Sequence, residues 1–266
     1  MSVVPSPRTR SDIITTLRSA GCVFAEDEAD LLVATARTPA ELGAMVDRRV
    51  AGVPLEHVLG WAEFCGLRIT VAPGVFVPRR RTEFLVQQAL GLVRGSAVAV
   101  DLCCGSGALG VALVAGLDHF ELYAADIEPA AVDCARRNVA AVGGQVFEGD
   151  LFDPLPDTLQ GRIDILLANV PYVPTGAIGL LPPEARLHEP RVALDGGGDG
   201  LDVLRRVAAA ATRWLAPGGS VLAEISKAQA PLAIQAFSDG GLVPRLVSSD
   251  ELNATVVIGT SPAVSG

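Results

Sequence analysis

The chain has 266 residues, half of them hydrophobic and 19% charged, which is room for one large domain, or a domain with a small appendage, and excludes both a long array of modules and general disorder. Its 30 acidic residues outnumber its 21 basic ones, a formal charge of −9, the wrong sign for a protein that gains affinity by neutralising nucleic-acid phosphates. The mean hydropathy of +0.40 comes from Ala and Val spread evenly, and no run reaches the roughly 18 consecutive apolar residues of a membrane span.

Residues 1–10, MSVVPSPRTR, carry no apolar leader segment, so the cytoplasm is the expected location and no membrane partner is expected. Cys22, Cys65, Cys103, Cys104 and Cys134 form no CxxC pair. Neither a disulfide framework nor a metal site is expected of them.

In chain order, Ser11 to Ser19, Glu26 to Ala36 and Thr38 to Ala51 read as three short helices, the last opened by Thr38-Pro39-Ala40-Glu41 as a capping box with Pro at its first position. They predict a small helical domain over residues 1–60. Residues 61–80 read as a hairpin or extended linker, from the alternation around Gly66 and the Pro-rich turn Ala72 to Pro78. Over residues 81–266, apolar strands alternate with helices. The strands are Ala97 to Leu102, Glu121 to Asp126, Gln145 to Glu148, Ile163 to Ala168 and Ser220 to Ile225, and the helices are Gly107 to Ala115, Glu128 to Ala141, Asp202 to Leu215 and Ala230 to Ser238. Ala216-Pro217-Gly218-Gly219 ends the third of these helices, and Leu242 to Val247 with Thr255 to Gly259 closes the chain as an antiparallel pair. The prediction is an α/β fold with a seven-stranded, doubly wound, Rossmann-like sheet.

The first sheet strand runs into Asp101-Leu102-Cys103-Cys104-Gly105-Ser106-Gly107-Ala108-Leu109-Gly110. Gly105 and Gly107 let backbone approach a ligand at a helix N-terminus, where open α/β sheets bind cofactors. The run also fits a dinucleotide GxGxxG pattern. Asp101 opposes that reading, because an unpartnered carboxylate buried at a strand end is costly, whereas the amino group of S-adenosylmethionine (SAM) supplies a cation. Asp126, followed by Ile127, ends the second strand, where a carboxylate accepts the two ribose hydroxyls of SAM or of NAD alike. The lesser alternative is that Asp126 only caps the helix Glu128 to Ala141. After the third strand, Asp150 can bond an adenine amino group while Leu151 packs on the ring. Asn169-Val170-Pro171-Tyr172 follows the fourth strand at its carboxyl end.

Pro54-Leu55-Glu56-His57-Val58-Leu59-Gly60, Phe76-Val77-Pro78-Arg79 with Thr82-Glu83, Asp101 to Gly110, Asn169 to Tyr172 and Glu189-Pro190-Arg191-Val192-Ala193-Leu194-Asp195-Gly196-Gly197 occur in this order. Together they resemble the protein-(glutamine-N5) methyltransferases that modify peptide chain release factors. The resemblance runs from about residue 53 to 225 and implies SAM as cofactor, a protein substrate presenting a glutamine side chain, and a release factor as partner. It implies that the side-chain oxygen of Asn169 and the carbonyl oxygen of Val170 accept the two N–H bonds of the glutamine amide, with Pro171 and Tyr172 completing the loop and Tyr172 packing beside the amide or the methionine part of the cofactor. Arg79 stays open between the cofactor carboxylate and solvent.

Three departures stand out. Val170 replaces the proline of the family's Asn-Pro-Pro-Tyr, which leaves the carbonyl but removes a fixed φ. Cys103 stands where the family has a loop glycine, which is tolerable if φ there is negative. The late arginines are missing from Asp250-Glu251-Leu252-Asn253-Ala254-Thr255. Two other readings compete: an adenine-N6 nucleic-acid methyltransferase, opposed by the charge, and a SAM-binding protein without catalysis, with Val170 as a mark of decay.

Overall fold

A computed structural model describes residues 9–263; the leader reading falls mostly on residues 1–8, outside them. Helices α1 (Arg10–Ser19), α2 (Ala25–Thr35), α3 (Pro39–Val50) and α4 (Leu55–Leu59) come first. Ile13 and Leu17 are one turn apart, and Ala25, Ala29 and Leu32 repeat at helical spacing. They meet Met45, Val46 and Val58 in one buried cluster. Thr38 caps α3 by accepting from the Glu41 N–H at 3.1 Å. The Glu41 carboxylate reaches the Arg37 N–H instead of closing the box on Thr38. A reciprocal box forms instead at Thr9 and Asp12, ahead of α1. Helix α4, which periodicity over five residues could not announce, stops at Gly60 in the left-handed region, φ +81°.

Strands β1 (Trp61–Phe64) and β2 (Leu67–Thr70) pair antiparallel. Their two-residue turn, Cys65-Gly66, has positive φ at both positions, 51° and 73°, the twist-matched hairpin geometry.

The seven-stranded sheet comprises β3 (Ala97–Leu102), β4 (Phe120–Asp126), β5 (Gln145–Glu148), β6 (Ile163–Ala168), β7 (Leu215–Ile225), β8 (Val243–Ser249) and β9 (Ala254–Thr260), in the order β5-β4-β3-β6-β7-β9-β8. Neighbours from β5 to β7 are parallel, and β9 runs antiparallel between β7 and β8. Helices α5 (Glu83–Leu90), α6 (Ala108–Val114) and α7 (Pro129–Ala140) cover one face. Helices α9 (Asp202–Trp214) and α10 (Ala230–Asp239) cover the other, while α8 (Pro183–His188) lies between β6 and α9 in sequence. Residues along β6 alternate between the two cores, Leu166 and Ala168 to one and Ile165 and Leu167 to the other, which is why these strands read as continuous apolar runs.

Three differences from the sequence reading have local causes. Strand β7 begins at Leu215, not Ser220: Gly218 has φ +80° and a Cβ on Gly219 would lie 2.4 Å from the Ile163 carbonyl, so Ala216 to Gly219 forms an irregular stretch of strand. Helix α5 has no side-chain cap to signal it and is held by burial of Phe84, Leu85, Val86 and Ala89. Helix α8 buries no residue, so it has no amphipathic pattern to read. Among the described residues, no helix is long and apolar enough to cross a membrane.

Candidate active site

The sheet changes winding direction between β3 and β6, and outside the carboxyl ends of β3, β4 and β6 opens a cavity of about 450 Å³. Such a switch point is where open α/β sheets hold ligands. Cys103, Gly105, Asp126, Ile127, Asp150 and Leu151 line one side; Asn169, Val170, Pro171, Tyr172 and Arg79 line the other. Asp101 and Gly107 stand behind the wall. Gly107, φ +77°, opens α6, and a Cβ there would meet the Val139 side chain at 2.7 Å.

Asp126 is oriented from two sides, one oxygen accepting from the Gly105 N–H at 2.8 Å and the other from the Glu128 N–H at 2.9 Å. Burial pushes its carboxyl up, and these two N–H groups oppose the shift. Asp101 is buried. One of its oxygens accepts from the Gly110 N–H at 2.9 Å, and the other has no partner. Burial raises this carboxyl to about 8, with the Asp126 charge adding to the rise. It therefore stays largely protonated at neutral pH.

The residues of this wall fit an adenosine ligand. Asp126 is a fixed acceptor with lone pairs to spare, Ile127 and Leu151 add apolar surface, and no protein atom lies within 4 Å of a Cβ built on Gly105. One expectation needs revision, and three other candidate residues have protein partners of their own. Cys103 has φ +53°, so the condition that made it tolerable is not met. It sits in the left-handed region at a cost of roughly 1–2 kcal/mol. Arg79 lines the cavity and pairs through Nη2 with the buried Glu189 carboxylate at 2.6 Å. Asp150 is held by Arg206 at 2.6 Å, and Asp101 meets the back of the glycine loop, not the cavity.

The loop after β6 is clamped. Tyr172 donates its hydroxyl to Glu224 Oε1 at 2.7 Å and accepts from Arg81 Nη2 at 2.7 Å. Its carbonyl accepts from Gln229 Nε2 at 2.8 Å. Val173 exchanges backbone hydrogen bonds with Leu194 and Gly196. A Cβ on Gly196 would lie 2.6 Å from the Pro171 carbonyl oxygen, and one on Gly200 would lie 2.3 Å from that of Tyr172. The Glu189 to Gly197 motif is thus a backing plate for the loop. Val170 packs into the core at 1% exposure. The side-chain oxygen of Asn169 is buried on the cavity wall with no partner.

Sequence reading missed Glu224, Arg81, Gln229 and Arg206. For Glu224 the signal was present: a carboxylate near the end of an otherwise apolar strand, the same oddity that marks Asp101.

A family model described as the methyltransferase small domain matches residues 66–199. A release factor glutamine methyltransferase of Geobacter sulfurreducens is 40% identical over 226 residues, 83% of this chain and 78% of that protein. The chain belongs to the release factor glutamine methyltransferase family. It is a SAM-dependent methyltransferase. A 4-amino-L-phenylalanine/4-methylamino-L-phenylalanine methyltransferase of Streptomyces pristinaespiralis is 35% identical over 215 residues, 78% of this chain and 73% of that one. Among solved structures, the 16S rRNA N2 G1207 methyltransferase of T. thermophilus, in complex with AdoMet and guanosine, shares the fold with a TM-score of 0.54 at 22% identity, over 76% of this chain and 49% of that one.

Proposed function

We propose that the protein transfers a methyl group from SAM to the side-chain amide nitrogen of a glutamine presented by a protein, the partner being a peptide chain release factor. The observation that carries the reading is the Asn169 oxygen, buried at the cavity wall without a hydrogen-bond partner. A buried acceptor left empty costs about 1–3 kcal/mol. A glutamine amide, which brings two N–H groups, satisfies it.

SAM, when bound, supplies an electrophilic methyl group on its sulfonium. The amide nitrogen is a weak nucleophile because its lone pair is delocalised into the carbonyl, so orientation must do most of the work. Asn169 Oδ1 and the Val170 carbonyl oxygen accept the two N–H bonds and fix the direction of the lone pair. Pro171 keeps Val170 extended, and the Tyr172 ring closes one side. No base is required before transfer, since the methylated amide is acidic enough to lose a proton afterwards. On the cofactor side, Asp126 accepts the ribose hydroxyls, Leu151 packs on the adenine, and Cys103, Gly105, Gly107 and Ile127 shape the loops around it. Asp101 acts at one remove, through the loop it holds at Gly110. Asp150 reaches the adenine amino group with the oxygen not taken by Arg206.

Residues 1–60 form the substrate-recognition unit in this reading, residues 61–80 the connecting hairpin, and residues 81–266 the methyltransferase domain. The test is incubation of the purified protein with labelled SAM and a release factor, followed by mass-spectrometric location of the label. One methyl on a glutamine side chain is the expected result, together with weaker SAM binding in Asp126→Ala. Label on another residue type, on free 4-amino-L-phenylalanine or on adenine in nucleic acid would overturn it.

A further inference from the structure

Strand β7 ends in Ser-Val-Leu-Ala-Glu-Ile, and Glu224 is 2% exposed among apolar neighbours. A carboxylate survives there only if its partners justify it. Its Oε1 accepts from Arg81 Nε at 2.8 Å and from the Tyr172 hydroxyl at 2.7 Å, while Arg81 Nη2 donates to that same hydroxyl at 2.7 Å. The three groups close a ring in which the Tyr172 oxygen is fixed as donor and acceptor at once. Each of the three bonds has a charged group, Arg81 or Glu224, on at least one end, and such bonds are the stronger kind. The ring connects three separate segments: the turn after Pro78, the loop after β6 and the end of β7.

We infer that Glu224 and Arg81 are positioning residues for methyl transfer: by fixing the phenol of Tyr172 they set the direction in which Asn169 Oδ1 and the Val170 carbonyl face the acceptor nitrogen. The inference rests on the proposed amide-binding role of this loop. The backbone of the loop reinforces the geometry. The Tyr172 carbonyl is held by Gln229, and Gly196 and Gly200 back it too closely for any side chain. The phenol, held by Glu224 and Arg81, is the side-chain lever that sets the tilt of the loop. Val170 in place of proline makes that lever matter more, because residue 170 no longer restrains its own φ.

The experiment compares Tyr172→Phe, Arg81→Ala and Glu224→Gln with wild type in kcat, KM for the glutamine substrate, SAM Kd and hydrogen exchange over residues 169–173. Expected is a loss of about 10- to 100-fold in kcat, in line with the cost of small misplacements, with KM and SAM Kd within about threefold. Exchange in the loop should rise about tenfold. Arg81 is 45% exposed along its side chain, so added methylguanidinium should restore part of the Arg81→Ala activity, which a role in stability alone would not allow. Unchanged kcat in Tyr172→Phe and Arg81→Ala overturns the inference. The exchange measurement needs no substrate: a wild type inactive on glutamine overturns the proposed function, and unchanged exchange in the variants then overturns the positioning role separately.

Discussion

The helical region before residue 60 and the cavity at the strand ends handle buried polarity in opposite ways. In the first, the guanidinium of Arg49 is spanned by the buried carboxylate of Glu28 at 2.6 Å and by Glu184 at 2.6 Å, with the Val53 carbonyl as a further acceptor. Burial alone would lower its pKa, and the two carboxylates more than reverse that. Around the cavity, Asp101, Asn169, Glu189 and Glu224 each keep one buried oxygen without a partner, and Cys103 and Leu151 sit at positive φ. Among the described residues, the other buried side-chain polar atom without a partner is Trp61 Nε1, and the other non-glycine residues at positive φ, Cys65 and Asn253, do not line the cavity. Unmet hydrogen-bonding capacity and backbone strain thus gather at the cavity. The fold around it is spending stability there, as functional sites do.

Four measurements break or sharpen this contrast. The largest effect is expected at Arg49. Arg49→Ala leaves Glu28 buried and uncompensated and should destabilise the protein by about 3–5 kcal/mol in urea unfolding; a loss below 1 kcal/mol would mean the paired region is not held by its ion triad. Asn169→Ala should do the reverse, lowering turnover on the order of 10²–10³-fold while leaving the melting temperature equal or slightly higher. A variant with full activity would remove Asn169 from the chemistry.

Asp101 gives a smaller effect that depends on pH. Its carboxyl stays protonated to about 8 in the folded state but ionises near pH 4 in an unfolded chain. Between those values the native state holds the extra proton, so stability falls as pH rises across the window. Asp101→Asn should therefore raise the stability of the ligand-free protein at pH 8 by about 1–3 kcal/mol and give no gain near pH 4. Melting curves of both proteins at the two pH values decide it, and a gain independent of pH would refute the titration.

The smallest effect is at Cys103. Glycine relieves the left-handed strain but loses packing and adds about 0.4–1 kcal/mol of unfolded-state entropy, so Cys103→Gly should lie within about 1 kcal/mol of wild type by urea unfolding. Cys103→Val, β-branched in the same conformation, should cost about 1–3 kcal/mol. If valine were as well tolerated as glycine, the loop would not be strained at that residue.

What could be read in the chain alone was whatever local chemistry decides. The limits of β3, β5 and β6 follow from apolar runs bounded by turn residues. The hairpin at Cys65-Gly66 follows from alternation about a glycine, and the candidate loops at Cys103 to Gly107, Asp126, Asp150 and Asn169 to Tyr172 follow from polar or glycine residues placed at strand ends. Helices α4, α5 and α8 were not legible, because each is short and held by its neighbours more than by its own pattern. Partners were not legible either. Nothing local tells Arg79 to choose Glu189, Asp150 to choose Arg206, or Arg81 and Tyr172 to meet on Glu224, since these groups are 52 to 143 residues apart and approach only when the sheet is wound. The sign of φ at Cys103 was likewise set from outside, by a loop that must turn over the end of β3 to bring Gly105 onto Asp126. Sequence determines which groups are available at the strand ends; burial and long-range contact decide which of them are satisfied and which are left open for a substrate.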